Sequence, residues 1–253
     1  IKKSRQIMIT WLMCCLHLWE IIFRKGVRTF QQSKKKADAC ELVARQRHVY
    51  DGLPKWMRNR IRAKFTDDKI RIHQNMSMIW AIPQGPDIIR SYTLTRLWID
   101  EPAFLRKMAQ TWKAARRALN KGAKATLTSS VAPGWYRLAY EDKLSPGVPP
   151  EPKEKGRACF GVFAHRNIRN RFFCVEIHYT ADPSKRSAEW KAEAMAGSSR
   201  ADWDQEMEMK WDALGGTPAR PQFELFEDLV TCTPFEIPLT RTVFESGDYG
   251  TAN

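Results

Sequence analysis

The residues best suited to chemistry are Asp100 and Glu101, which end the run Leu97-Trp98-Ile99-Asp100-Glu101. A short apolar run predicts a buried strand. Two adjacent carboxylates at its C-terminal end lie where an open α/β sheet places ligand chemistry. There the first acid suits a hard cation such as Mg2+, and the second can orient or deprotonate a water. The pattern is that of a Walker B strand. Apolar-apolar-Asp-Glu also arises by chance, and a helix N-terminus attracts acids for its own reasons. The pair therefore needs support from elsewhere in the chain.

Upstream, residues 2–10 (KKSRQIMIT) form a basic, polar turn that feeds an apolar helical stretch. Helix N-terminal amides and a nearby Lys can together bind anions. Lys3 stands at the front of that loop, and Thr10 offers a hydroxyl for a metal. The pattern GxxxxGK[ST] is absent, and a basic helix cap fits the same residues. Downstream, Thr128-Ser129-Ser130 ends another short strand. Small hydroxyls beside a nucleotide can sense its γ-phosphate; the triplet is equally compatible with an ordinary turn. Arg90 precedes Glu101 by eleven residues.

These groups need elements to hold them. Periodicity predicts a buried helix over 11–24, a strand over 27–31, a polar turn over 32–36 and a helix over 37–50. A short helix over 55–64 carries Lys55, Arg58, Arg60, Arg62 and Lys64, either a solvated face or a DNA contact. A hairpin over 69–73 and 77–82 and a loop over 83–89 lead to the strand that bears the acids. An amphipathic basic helix over 105–120 and a strand over 125–127 follow. Beyond lie a helix near 135–141, an exposed Pro/Gly-rich loop over 145–156 and a strand over 172–178. Helices are predicted over 188–196 and over 200–211, the second capped by Ser199. A linker over 215–221 and a strand over 243–250 that leads into Asp248 complete the chain.

The 253 residues suffice for one large α/β domain, or one domain plus a fragment. Forty-two basic against 28 acidic residues give a net charge of +14. That balance favours a polyanionic partner, nucleic acid first, with a generally basic soluble enzyme as the alternative. Six cysteines show no CxxC pair and no spacing to histidine that suits a metal. They are expected to be buried reduced thiols of a cytosolic protein. The apolar run from Ile7 follows a basic start but is broken by His17 and Glu20. It is too short to span a bilayer and does not form a signal peptide. The chain opens at Ile1 without methionine, inside what reads as a motif, so a fragment is expected.

Five stretches together resemble the large terminase subunit of tailed bacteriophages, the ATPase motors that package DNA into procapsids. They are KSRQIMIT (3–10), AIPQGPDIIRSYT (81–93), LWIDEPAF (97–104), TLTSSVAPG (126–134) and FESGDYGTAN (244–253). Their order and spacing match the family. The resemblance implies a P-loop NTPase fold of the ASCE/RecA-like type, with a mainly parallel sheet flanked by helices. It divides the chain into an ATPase domain over 1–183 whose N-terminal part is expected to be missing, a helical linker region over 184–240, and the opening of an RNase H-like nuclease domain over 241–253. ATP and Mg2+ are the implied cofactors. Lys3 would neutralise the β- and γ-phosphates, with Ser4, Arg5, Gln6 and Thr10 around the phosphate loop. Thr10 and Asp100 would hold Mg2+, and Glu101 would polarise the attacking water. Thr128, Ser129 and Ser130 would couple hydrolysis to movement. Arg90 matches an arginine finger inserted into a neighbouring subunit's site, a loop salt bridge being the alternative; Arg5 is the alternative finger, acting in cis. Asp248 would be the first metal ligand of the nuclease, whose divalent metals need further carboxylates; no nuclease activity is expected from this chain.

The implied partners are double-stranded DNA, the portal protein, the small terminase subunit and further copies in a ring, in the host cytoplasm and transiently at the procapsid portal, with no membrane. Two departures stand out. Met8 stands where many relatives have Gly, and Ile9 where relatives with the usual Walker A have Lys. They support a non-catalytic DNA-binding or assembly module with a degraded loop, while the strand-ending Asp-Glu and the Thr-Ser-Ser triplet also fit a helicase-like DNA-dependent ATPase.

Overall fold

In the computed structural model, residues 1–119, 122–147 and 156–213 are described. Asp248, Cys232, the predicted linker over 215–221 and the predicted strand over 243–250 lie outside the described residues. The run before the acids forms a strand, β6 (Arg96–Asp100), inside a six-stranded sheet. The order across that sheet is β3 (Ala63–Phe65), β4 (Lys69–Ile72), β5 (Ser77–Ala81), β2 (Arg28–Gln32), β6 and β7 (Lys124–Thr128). The last four run parallel, and β3 and β4 form an antiparallel edge. A second sheet pairs β1 (Lys2–Lys3) parallel to β10 (Phe173–Ile177), followed by antiparallel β9 (Val162–Arg166) and β8 (Gly156–Cys159). Lys2 also bridges Ser129, just past β7. The Lys3 N–H donates to the Ser129 carbonyl at 3.0 Å. Strand β1 thus joins the two sheets and brings the loop after Lys3 beside the end of β7.

Helices cover both faces, as parallel strands require. On one face α1 (Ile9–Phe23) and α2 (Lys36–Asp51) pack Leu18, Ile21, Ala39 and Val43 against Ile70, Ile79 and Ala81. On the other, α4 (Asp87–Ser91), α5 (Met108–Leu119) and α6 (Trp135–Tyr140) pack Ile89, Met108, Ala115 and Tyr136 against Phe30, Leu97, Ile99 and Leu127. Strand β6 is buried on both faces. Leu97 and Ile99 point to α5, while Trp98 lies under the first turns of α1 with Ile9, Met13 and Cys14. No helix among the described residues is long and apolar enough to cross a membrane.

Several sequence expectations shift. The predicted helix over 55–64 ends at Arg60 as α3 (Lys55–Arg60), and residues 63–65 add β3 to the hairpin. The loop over 83–89 includes the start of α4. The helix over 200–211 stops at Glu206 as α8 (Arg200–Glu206), before Met209 takes a φ of 55°. Strands β8 and β9 carry no alternating pattern, and the sequence does not predict them. Gly161 turns between them at φ 73°, and a Cβ there would sit 2.4 Å from the Ala181 nitrogen. Helix α1 is buried on one side only, and Leu12, Leu16, Trp19 and Phe23 lie exposed along the other. The thiols are free as expected among the described residues, but Cys15 and Cys159 are exposed rather than buried. Cys15 falls off the inward stripe of α1, and Cys159 ends the edge strand β8.

Candidate functional site: two carboxylates at the ends of adjacent strands

Asp100 is the last residue of β6, and its register partner is Thr128, the last residue of β7. The chain then turns sharply. Glu101 adopts a left-handed backbone (φ 54°, ψ 49°), and its N–H donates to the Thr128 carbonyl at 2.7 Å. Pro102 follows and opens a short 3-10 turn, Pro102–Phe104, where its missing N–H costs nothing. A non-glycine residue held in this region stores strain of about 1–3 kcal/mol, a cost seen most often at functional sites.

The Glu101 carboxylate is fully engaged. Its Oε1 meets Lys3 Nζ at 2.8 Å. Its Oε2 accepts from Ser129 Oγ at 3.0 Å, Ser130 N at 3.2 Å and Ser130 Oγ at 3.1 Å. Burial alone would push this carboxyl up, but Lys3 and the Ser130 and Ser129 donors outweigh it and hold it below the usual carboxylate range. Asp100 behaves in the opposite way. Burial and the neighbouring Glu101 charge push it up to about 6, against the Thr128 hydrogen bond. The two acids are therefore tuned apart, as functional carboxylate pairs often are.

Thr128 links Asp100 to the core. Its Oγ1 donates to Asp100 Oδ1 at 2.9 Å and accepts from Trp98 Nε1 at 3.0 Å. Asp100 Oδ2 accepts no hydrogen bond among the described residues. The three hydroxyls expected to sense a nucleotide thus all touch the two acids directly.

The loop from Ser4 to Met8 connects β1 to α1. Ser4 is fully buried, and both of its donors are used within the protein: its N–H bonds the Ile177 carbonyl and its hydroxyl the Met207 carbonyl at 2.6 Å. The Ser4 hydroxyl also accepts from Tyr179 N at 2.9 Å. Among the predicted phosphate ligands, Ser4 is therefore an anchor for the loop. The Arg5 side chain is exposed, with its guanidinium 3.5 Å from Glu206 and its N–H on the Glu206 carbonyl. Gln6 and Met8 take φ of 58° and 57°, and the Gln6 carbonyl accepts from Lys185 Nζ. Helix α1 begins after Met8 with no side-chain cap, so no capping side chain bonds the amides of its first turn, the groups by which helix N-termini bind anions. Thr10 lies in that first turn, half-buried, with no hydrogen bond from its hydroxyl among the described residues.

Arg90 is not brought to this cluster. It sits exposed on α4 and lines a depression with Thr95, Gly122 and Ala123, beside the beginnings of β6 and β7. The acids lie at the other ends of those strands, about 13 Å away over the four rises from Arg96 to Asp100. A cavity of about 740 Å3 opens between β7 and β10 near Ile1, also away from the acids.

The donor set can be tested against the implied cation. Among the described residues no three His, Cys, Asp or Glu side chains converge on one point. One or two carboxylates without a complete protein cage suit Mg2+, which keeps waters and takes phosphate oxygens. Asp100, with an unengaged oxygen, fits that role. Nothing in the sequence signals that Trp98 bonds Thr128, or that Met207, Tyr179 and Lys185 secure the loop; an apolar run reveals burial, not hydrogen bonding.

No protein-family model matches the chain. Among solved structures, it is similar to the large terminase of a thermophilic bacteriophage in complex with ADP, with a TM-score of 0.60 at 14% identity over 83% of this chain. It spans about half of that protein, 47%. The ATPase domain of a Thermus phage large terminase matches with a TM-score of 0.56 at 13% identity, over 83% of this chain and 86% of that one. The chain has the fold of these large terminase ATPase domains.

Proposed function

We propose that this chain is the ATPase module of a DNA-packaging large terminase, hydrolysing ATP to drive double-stranded DNA into a procapsid. The observation that carries the reading is the meeting of Lys3, Asp100, Glu101 and the 128–130 hydroxyls at the C-terminal ends of adjacent strands. It occurs on a fold shared with a protein solved in complex with ADP.

Phosphoryl transfer needs positioning and charge stabilisation more than covalent chemistry. Lys3 is a cation on a long side chain at the mouth of the loop. On meeting phosphate oxygens it leaves Glu101, and Oε1 is freed to orient the attacking water. Ser129 and Ser130 keep Oε2 in place meanwhile, so the carboxylate does not swing. The open first turn of α1 receives phosphate charge, and Asp100 with Thr10 would hold Mg2+, which when bound neutralises charge on the phosphate oxygens. The loss of the Lys3 charge at Oε1 reaches Ser129 and Ser130 through their bonds to Oε2, the start of a coupling path into the segment after β7.

In the same reading the whole protein works as a ring in the host cytoplasm, docked at the portal, with the small subunit as partner and a nuclease completed by residues that include Asp248. A helicase-like ATPase would share the site. A non-catalytic DNA-binding module is favoured by one observation, the left-handed Met8 at the loop. ATP turnover measured with and without duplex DNA separates these. The motor predicts DNA-stimulated hydrolysis that falls steeply with salt, because phosphate contacts release counterions. DNA binding with no turnover at any salt favours the non-catalytic module, and directional unwinding of duplex DNA without capsid components favours the helicase.

A further inference from the structure

We infer that Trp98 is a positioning residue for the cation site: its indole N–H dictates which way the Thr128 hydroxyl points and so fixes Asp100. The inference rests on the proposed role of Asp100 in holding Mg2+.

A hydroxyl has one proton and two lone pairs, and an indole N–H can only donate. Trp98 Nε1 lies 3.0 Å from Thr128 Oγ1, which lies 2.9 Å from Asp100 Oδ1. With the indole proton on one lone pair, the Thr128 proton has the carboxylate as its acceptor. All three groups are buried, so water does not compete for the hydroxyl. Asp100 is thereby held by Oδ1, and its other oxygen is left uncommitted among the described residues.

The indole is itself held from the phosphate-loop side. Trp98 is fully buried and packs with Ile9, Met13 and Cys14 in the first two turns of α1. The His17 ring lies against it with centroids 5.3 Å apart and planes 30° apart. His17 Nδ1 is 3.2 Å from Glu20 Oε2, and Arg96 Nε is 2.8 Å from Glu20 Oε1, which fixes this stretch of α1 to β6. A shift of the helix whose N-terminus receives the nucleotide therefore reaches Asp100 through one side chain. Trp98 couples the loop to the cation ligand without touching either substrate or metal.

The test is the Mg2+ dependence of ADP binding, read by calorimetry, for the wild-type chain, Trp98→Phe, Thr128→Val and the double variant. A second form replaces Trp98 by benzothienylalanine, which keeps the bicyclic shape and loses only the N–H donor; thermal melting checks that each form is folded. The inference predicts a roughly tenfold higher Mg2+ requirement in either single variant and in the isostere, the scale of a lost hydrogen bond to a charged group. It predicts no further loss in the double variant, because both act through one chain of bonds, and metal-free ADP affinity unchanged in Trp98→Phe and in the isostere. An unchanged Mg2+ requirement in the folded isostere, or full additivity in the double variant, overturns it. A wild-type chain that binds no ADP would instead remove the site reading beneath it, which is distinguishable because the loss precedes any substitution.

Discussion

Met8 occupies a backbone position that disfavours its own side chain. At φ 57° an L-residue crowds its Cβ against the backbone, a cost of about 1–2 kcal/mol that glycine avoids. Its side chain is largely exposed, 65%, so little packing offsets that cost. Met8→Gly should therefore stabilise the fold by up to about 1 kcal/mol, after glycine's greater unfolded-state freedom is subtracted. A thermal melt should show a rise of a few degrees for a domain of this size, and ATP affinity should rise with it. At this scale the sequence is partly legible. Asp100 and Glu101 stand out because an apolar run ending in acids marks a strand end, and the missing glycine at position 8 is visible as a departure. That Ser4 is spent on the Met207 carbonyl is hidden, because that contact crosses some two hundred residues of chain.

Helix α1 is the element on which loop, core and acids all depend. Its tie to β6 runs through Glu20, which accepts from Arg96 and faces His17 in a buried setting. Burial opposes its charge, but the His17 and Arg96 hydrogen bonds and the Arg96 charge prevail and pull the carboxyl down to about 2. Its unfolded value is near 4.3. The folded value lies below the unfolded one, so the stabilisation is present above about pH 4.3 and is lost as pH falls towards 2. The full shift corresponds to on the order of 3 kcal/mol. Glu20→Gln should lower stability at pH 7 by roughly 1–3 kcal/mol and flatten the loss on acidification from about pH 4.5 to about pH 2. Denaturant titrations at pH 7 and pH 3 check this; a variant as acid-sensitive as wild type would count against the assignment. The parallel core strands and α1, α2 and α5 are legible because their apolar patterns are long or periodic. Strands β8 and β9 are not, since a half-buried edge hairpin carries no period to read.

For the whole molecule, the acids lie at the C-terminal end of β6, and Arg90 lines a depression beside its beginning. Within one chain Arg90 therefore does not complete the Glu101 site, and a finger role requires a second subunit. Mixing Arg90→Ala chains with Glu101→Gln chains under assembly conditions should then restore part of the ATP turnover that each lacks alone, whereas absence of rescue would assign Arg90 a local role on α4. In the proposed function Glu101 is the catalytic carboxylate of a nucleotide site. Its most direct test is ATP binding and single-turnover hydrolysis measured side by side for the wild-type chain and Glu101→Gln. Binding within a fewfold of wild type and hydrolysis lower by at least about a hundredfold are expected, the lower range for a positioned general base; hydrolysis at the wild-type rate in the variant would rule out that role.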